Sequence, residues 1–451
     1  MDTTQIFKAY DVRGTYPDQI NEELARAIGS AFATFVAAPR IVVARDMRPS
    51  GVTLVEAFAE GVRRTGTEVL QLGLASTDFL YFASGHLDAP GAMFTASHNP
   101  AGYNGLKLCF AGAKPIGSES GLKEIEAMTH QFMATPASGD LANQVEVSLM
   151  KEWVAHVLSF TDVSVMRPLK IVADTANGMG GFIAPEIFAD LPFDLEIMYP
   201  ELDGTFPNHP ADPLNPENIV DLQRRVLEVG ADIGLAFDGD ADRVFLIDEK
   251  AQPISGSTTT AMVAASMLAK YPGATILYNV ICSKSVPAVI TENGGVGVRT
   301  RVGHSYIKSA MAETNAIFGG EHSGHYYYRD NFRADSGIIT AMVVLELLSR
   351  ASVPLSELVA PFDRFAASGE INTTVSSPAA SVAAITERLR ASGDATIDLM
   401  DGLTADFGDW WFNLRPSNTE PLLRLNVEAG SDEEVARHVA AIVAMITEVE
   451  A

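Results

Sequence analysis

Ile233-Gly234-Leu235-Ala236-Phe237-Asp238-Gly239-Asp240-Ala241-Asp242-Arg243-Val244-Phe245-Leu246-Ile247 sets three acids at alternate positions between two apolar runs. The pattern reads as two strands joined by an acidic loop. On a straight strand those three side chains share a face at a spacing of ~6.5–7 Å. A single small cation needs its oxygen ligands within about 2.0–2.6 Å, so the segment has to curl. Gly239 and Ala241 offer little steric resistance to curling. No Cys or His is adjacent, and carboxylate and water ligands suit magnesium better than zinc. Three acids this close repel one another unless an ion or Arg243 offsets their charge. Two blander readings compete. One is a solvated polar hairpin tip. The other is a calcium loop between helices, for which Glu249 falls at the twelfth position. Arg243, however, stands where that loop needs glycine, and strand-like residues replace the helix.

A chain of 451 residues is long for one core, so two to four domains are expected. Its hydrophobic content of 47% marks it as globular. A formal charge of -25 argues against nucleic acid and anionic membranes as partners. An anionic substrate would then depend on local Arg and Lys clusters to reverse the field. The two cysteines, Cys109 and Cys282, lie far apart without metal-ligand spacing, which suits a reducing compartment. The polar, acidic N-terminus lacks a signal-peptide pattern, and no apolar run reaches the ~18 residues of a bilayer span. A cytoplasmic location is the expectation.

Strand and helix signals alternate, as in α/β layers. A weak repeat of organisation runs through the first three quarters of the chain. Apolar strands at 39–46, 169–174 and 274–279 each lead through an amphipathic stretch to a second strand, near 68–72, 194–198 or 295–298. Each unit then reaches a third strand that ends in an unusual polar loop, at 95–100, 238–243 or 320–325. Open α/β sheets bind ligands beyond the carboxyl ends of their strands, so three such loops suggest a shared cleft. A smaller unit follows, with a helix in 376–392, strands at 410–414 and 422–427, a loop at 415–421 and a terminal helix from Asp432, an α+β order. The domains are expected at 1–149, 150–251, 252–365 and 366–451. Gly178-Met179-Gly180-Gly181 imitates a dinucleotide turn, but Ile183 occupies the third required glycine position and no acidic partner is convincing downstream.

The other loops are individually ambiguous. In Thr95-Ala96-Ser97-His98-Asn99-Pro100, Ser97 is a candidate nucleophile or phosphoryl carrier, though Asn-Pro is also plain turn chemistry. Tyr103-Asn104-Gly105-Leu106-Lys107 reads as a turn and then a cation, either a phosphate or acid/base partner or a surface lysine. Gly320-Glu321-His322-Ser323-Gly324-His325 can read sugar hydroxyls through Glu321 and Ser323. Its histidines, or His304 nearby, can move a proton near neutral pH. Arg415-Pro416-Ser417-Asn418-Thr419-Glu420-Pro421 has donors for a phosphate cradle, or is a hairpin turn.

Taken in order, Phe7-Lys8-Ala9-Tyr10-Asp11-Val12-Arg13-Gly14, the serine loop at 95–100, the acidic loop at 238–243 and the loops at 320–325 and 415–421 resemble the α-D-phosphohexomutase family over nearly the whole chain. The resemblance implies three similar α/β domains with mixed sheets and a smaller C-terminal α+β domain, arranged as a heart around a central cleft. It implies a phosphohexomutase that interconverts hexose 1-phosphate and hexose 6-phosphate (mannose, glucose or both) through a phosphoserine and a 1,6-bisphosphate. Ser97 would carry the phosphoryl group. Asp238, Asp240 and Asp242, with Ser97, would hold one Mg2+ per chain. Arg13, Lys107 and His325 would lie near the phosphoryl group and take part in proton transfer. His98, Arg243, Tyr10 and His304 match active-site positions. Glu321 and Ser323 would read sugar hydroxyls, and Arg415, Ser417, Asn418 and Thr419 the phosphate that is not reacting. A hexose 1,6-bisphosphate would serve as activator, and the enzyme would be a monomer or homodimer. Phosphoglucosamine mutase, a metal-dependent phosphatase and a non-catalytic sugar-phosphate-binding protein are the alternatives.

Overall fold

The computed structural model describes residues 3, 5–417 and 421–450. The described chain divides into two compact units. The first comprises Met1–Gly256, Gly303–Gly319 and Ser323–Leu358, and the second Ser257–Val302, Gly320–His322 and Val359–Ala451.

The first unit contains two mixed sheets. In one, the neighbours run Val12–Thr15, Tyr103–Phe110, Gly91–Phe94, Arg40–Arg45, Glu68–Leu74, Gln144–Glu146. Arg40–Arg45 pairs in parallel with both Gly91–Phe94 and Glu68–Leu74. Tyr103–Phe110 runs antiparallel to Gly91–Phe94, so the turn expected at 103–107 is an eight-residue strand instead. Residues 104–109 of that strand are buried, and burial on both faces favours an extended backbone over a turn there. Helices Glu22–Val36 and Gly51–Arg63 cover the sheet, and Leu24, Ile28, Phe32, Leu54, Phe58 and Phe94 form its core. The two helices meet through glycines: a Cβ on Gly61 would stand 2.0 Å from the Arg26 carbonyl oxygen.

The second sheet orders as Pro253–Ile254, Val244–Asp248, Ile233–Phe237, Lys170–Asp174, Asp194–Met198. Ile233–Phe237 and Val244–Asp248 form the expected antiparallel pair, in register from Ile233 with Asp248 to Phe237 with Val244. Every residue of both strands is buried, which is why they read as unbroken apolar runs. In each sheet a central strand lies between its two parallel neighbours, and the third strand of the unit runs straight into a polar loop. The glycine look-alike at 178–181 has a packing role. A Cβ on Gly178 would stand 2.7 Å from the Gly239 carbonyl oxygen, and Met179 N–H donates to that oxygen at 2.9 Å.

In the second unit, Thr275–Asn279 pairs in parallel with Val296–Thr300. Trp411–Pro416 lies antiparallel between Leu403–Asp406 and Leu422–Ala429. Helices Pro378–Ser392 and Asp432–Glu450 pack on these strands through Ile385, Leu389, Phe412, Leu425, Ile442 and Ile446. The strand continues through Arg415 and Pro416, two residues into the expected loop. Among the described residues no helix is long and apolar enough to cross a membrane.

Candidate active site

The strand Gly91–Phe94 delivers Ser97, and the hairpin of the second sheet delivers the acids. Ser97 adopts φ 48°, left-handed backbone that is costly for a residue with a Cβ. Its N–H donates to Thr95 Oγ1 at 2.9 Å. Its hydroxyl donates to Asp238 Oδ2 at 2.8 Å, and Arg243 Nη2 and His98 Nδ1 stand 3.3 and 3.2 Å from Ser97 Oγ. Arg243 also donates to His98 Nδ1 at 2.6 Å and, through Nε, to Asp238 Oδ2 at 2.9 Å.

The acidic loop curls as its chemistry demands. Ala241 takes φ 60°, and its N–H closes onto the Asp238 carbonyl at 3.1 Å. Gly239 is required by close approach: a Cβ there would stand 2.5 Å from the Ser97 carbonyl oxygen. The curl brings one carboxylate oxygen each of Asp238, Asp240 and Asp242 within 4.8 Å of one another. All three residues are buried. Lys107, the cation expected after a turn, instead reaches inward from its strand to Asp240 Oδ2 (2.8 Å) and Asp242 Oδ2 (2.5 Å).

Three acids against two buried cations leave one charge uncompensated. Burial drives the Asp238 carboxyl above the usual range; Arg243 opposes this, while Asp240 and Asp242 reinforce it. Burial raises Asp242 as well, with Asp240 adding to it. Burial also works against the Lys107 ammonium, but Asp240 and Asp242 more than offset that and hold it well above its ordinary value. Asp240 Oδ1 and Asp242 Oδ1 are buried without a hydrogen-bond partner. Uncompensated charge and orphaned carboxylate oxygens are what an all-oxygen cation site requires. The triad is able to hold a metal ion.

Other expected residues gather in the same unit. Arg13 donates to Asn99 Oδ1 at 2.6 Å and pairs with Asp11 at 2.5 Å. His325 Nε2 lies 3.8 Å from Asp242 Oδ1, and His325 bridges Arg243 through the backbone. Ser323 Oγ meets His325 Nδ1 at 3.0 Å. Tyr10 stacks edge-on against His304, their ring centroids 5.4 Å apart. Burial pushes both His98 and His304 well below the usual imidazole value, with Arg243 adding to the effect at His98 and Lys308 at His304.

In the second unit, Glu321 is buried and accepts from Asn279 Nδ2 at 3.1 Å. Arg415 pairs with Glu370 at 3.1 Å. Ser417 N–H donates to the Leu422 carbonyl at 2.9 Å, which holds the start of the proposed cradle. Asn418 and Thr419 lie outside the described residues.

Four family descriptions match in order: phosphoglucomutase/phosphomannomutase alpha/beta/alpha domain I at residues 4–135, domain II at 151–252, domain III at 255–365 and the C-terminal domain at 370–445. The phosphohexose mutases protein of Xanthomonas campestris pv. campestris is 40% identical over 434 residues, covering 95% of this chain and 96% of the relative. The chain belongs to the phosphoglucomutase/phosphomannomutase family. A phosphomannomutase of Salmonella montevideo is 39% identical over 442 residues, with 96% of each chain covered. The crystal structure of a phosphoglucomutase/phosphomannomutase family protein from Burkholderia thailandensis superposes with a TM-score of 0.90 at 30% identity, over 100% of this chain and 98% of that one. Family membership accords with four domains and mixed α/β sheets.

Reading the residues missed partners that burial reveals. Thr77 donates its hydroxyl to Asp240 Oδ2 at 2.6 Å. Asp335, fully buried beside Lys308 at 3.1 Å, joins Asp242 and His325 in a second cluster of ligand-type atoms within 4.8 Å. Arg48, three residues beyond the strand Arg40–Arg45, reaches the Ser97 carbonyl of the serine loop at 2.9 Å. A lone threonine, aspartate or arginine after a strand carries no signal of its own; the only available cue for Arg48 was the polar turn that closes the first strand.

Proposed function

We propose that this phosphoglucomutase/phosphomannomutase family member interconverts hexose 1-phosphate and hexose 6-phosphate, with Ser97 as phosphoryl carrier and a hexose 1,6-bisphosphate as intermediate. The reading rests on one observation: the Ser97 hydroxyl lies 2.8 Å from the first acid of the triad, with Arg243 at 3.3 Å. Phosphoryl transfer needs positioning and charge neutralisation more than covalent assistance. In the first half-reaction the Oγ–P bond of phospho-Ser97 breaks as a sugar hydroxyl oxygen bonds to phosphorus. The sugar hydroxyl proton passes to a base, and the departing Ser97 Oγ takes a proton from a protonated side chain, which restores the serine hydroxyl. After the bisphosphate reverses its orientation, the phosphoryl group at its other end passes to Ser97 Oγ by the same exchange.

Arg13, Lys107 and His325 are the groups linked to proton transfer: Lys107, held as an ammonium 2.5 Å from Asp242, can give a proton, and His325, 3.8 Å from the same acid, can take one. Arg243 offsets charge at the serine oxygen, and Arg13 and His98 border the same loop. Asp238, Asp240 and Asp242, with an oxygen on Ser97, would hold one Mg2+, which when bound supplies charge neutralisation on the transferring oxygens. Glu321 and Ser323 recognise sugar hydroxyls, with Tyr10 and His304 as further substrate contacts. Arg415 and Ser417, with Asn418 and Thr419, bind the phosphate that is not transferring. The domain joints fall near 149, 251 and 365. A hexose 1,6-bisphosphate activates the enzyme, which acts as a cytoplasmic monomer or homodimer without nucleic-acid or membrane partners. A net charge of -25 supports the exclusion of polyanionic partners.

The test is Ser97→Ala, assayed with mannose 1-phosphate and glucose 1-phosphate side by side. Turnover of both should be nearly abolished with the fold intact. In the wild type, the tryptic peptide that contains Ser97 should gain the mass of one phosphate on incubation with glucose 1,6-bisphosphate. Near-normal turnover in the variant, or no added phosphate on that peptide, refutes the carrier role.

A further inference from the structure

Arg48 is buried completely. Its guanidinium is spent on the backbone of the serine loop. Nη2 donates to the carbonyls of Ser97 (2.9 Å) and Asn99 (2.6 Å), and Nη1 to those of Pro100 and Tyr103 (both 2.9 Å). Asp46 orients it: Oδ2 lies 3.3 Å from Nε, and Oδ1 accepts the Arg48 N–H at 2.9 Å. On its other side the segment after the second sheet's edge strand closes over it. The Phe206 ring centroid is 5.1 Å from Cζ, and a Cβ on Gly204 would stand 2.6 Å from the Arg48 Cα.

The Ser97 carbonyl is therefore held from two directions. Arg48 donates to it on one side, and Gly239 of the acidic loop abuts it at the distance of a missing Cβ. Ser97 itself sits in left-handed backbone, a conformation that persists only where its surroundings impose it. A planar fork can join four carbonyls at fixed angles, whereas a lysine is a point charge with three donors.

We infer that Arg48 is a positioning residue for phosphoryl transfer: it clamps the backbone of residues 97–103 so that Ser97 Oγ is presented to Asp238. The inference rests on the carrier role of Ser97 proposed above. Misplacing a reacting oxygen by about 1 Å costs up to about 100-fold in rate, so loosening this clamp lowers kcat and leaves the groups that bind the sugar untouched.

Arg48→Lys, which keeps a cation beside Asp46, is the first test. Its kcat should fall about tenfold or more, ~1.4 kcal/mol in the barrier, with KM changed by less than about threefold in that same accounting. Phosphorylation of Ser97 by glucose 1,6-bisphosphate should slow in parallel, and amides in 97–103 should exchange deuterium faster. Asp46→Asn is isosteric and removes the charge that orients the guanidinium; it serves where Arg48→Lys does not fold and should show the same pattern. Wild-type kcat in either folded variant overturns the inference. So does a fall in kcat with Ser97 phosphorylated and the loop amides protected at wild-type rates. Both results presuppose that Ser97→Ala is inactive; an active Ser97→Ala would sink the carrier reading instead.

Discussion

Thr77 makes two hydrogen bonds to Asp240: its hydroxyl donates to Oδ2 at 2.6 Å and its N–H to the carbonyl at 3.0 Å. The start of helix Thr77–His86 in the first sheet's layer is thereby fastened to the acid loop of the second sheet, 163 residues away. Removing a buried hydroxyl from such a pair costs about 1–3 kcal/mol. Thr77→Val keeps the shape and should lower stability by that order in urea unfolding. It should also raise the magnesium concentration needed for half-maximal activity, because Asp240 loses one of the two groups that orient it.

Gly239→Ala should be more damaging than its size suggests. The new methyl group would fall 2.5 Å from the Ser97 carbonyl oxygen, a backbone atom that Arg48 already holds in place. Overpacking of this kind costs about 1–3 kcal/mol, and here the strain falls directly on the serine loop. The expected result is a lowered melting temperature and a kcat reduced by more than tenfold, about 1.4 kcal/mol. An active variant with a wild-type melting curve would show that the two loops move apart freely.

Three buried acids, two of them with an orphaned oxygen, predict a metal effect on the fold as well as on turnover. A ligand that binds only the native state raises stability in proportion to the logarithm of its concentration over Kd. Magnesium should raise the melting temperature of the chelator-treated protein, and Asp240→Asn should abolish most of that rise. Excess chelator should stop turnover, and magnesium should restore it. Full turnover in chelator, together with no thermal shift, would contradict the metal site.

His209 offers a pH signature away from the reacting groups. Its Nε2 lies 3.0 Å from Asp174 Oδ2, and Nδ1 faces the Pro210 carbonyl at 2.9 Å. Tyr199 packs edge-on against its ring, and Asp221 adds a second negative charge nearby. Burial disfavours the imidazolium, but Asp174 more than offsets this and raises its pKa above the ordinary value. A folded-state pKa above the unfolded value of about 6.5 means the native state binds the proton more tightly. The stabilisation is complete below that unfolded value and disappears as pH rises through the folded one. The melting temperature of wild type minus that of His209→Gln should therefore be larger at pH 5.5 than at pH 8.5. A difference that is flat, or grows with pH, would reverse the assignment.

The sequence determined what local pattern can encode. Two apolar runs around Asp-Gly-Asp-Ala-Asp specified a hairpin with an acid tip, because strands covered on both faces are filled mostly by apolar residues. The order of the polar loops along the chain was equally legible, since each ends a strand. Tertiary structure alone decided what each loop faces. Lys107 looked like a residue after a turn, but extension of 103–110 into a central strand turned it into a buried ammonium between two aspartates. Ser97 looked like turn chemistry until its left-handed backbone and the Asp238 contact were seen together. Thr77 had no signature, and Arg48 only the polar turn that closes its strand. Their partners are set by burial and by contacts up to 163 residues apart, and desolvation, which makes an unpaired charge costly, exists only once the chain has folded.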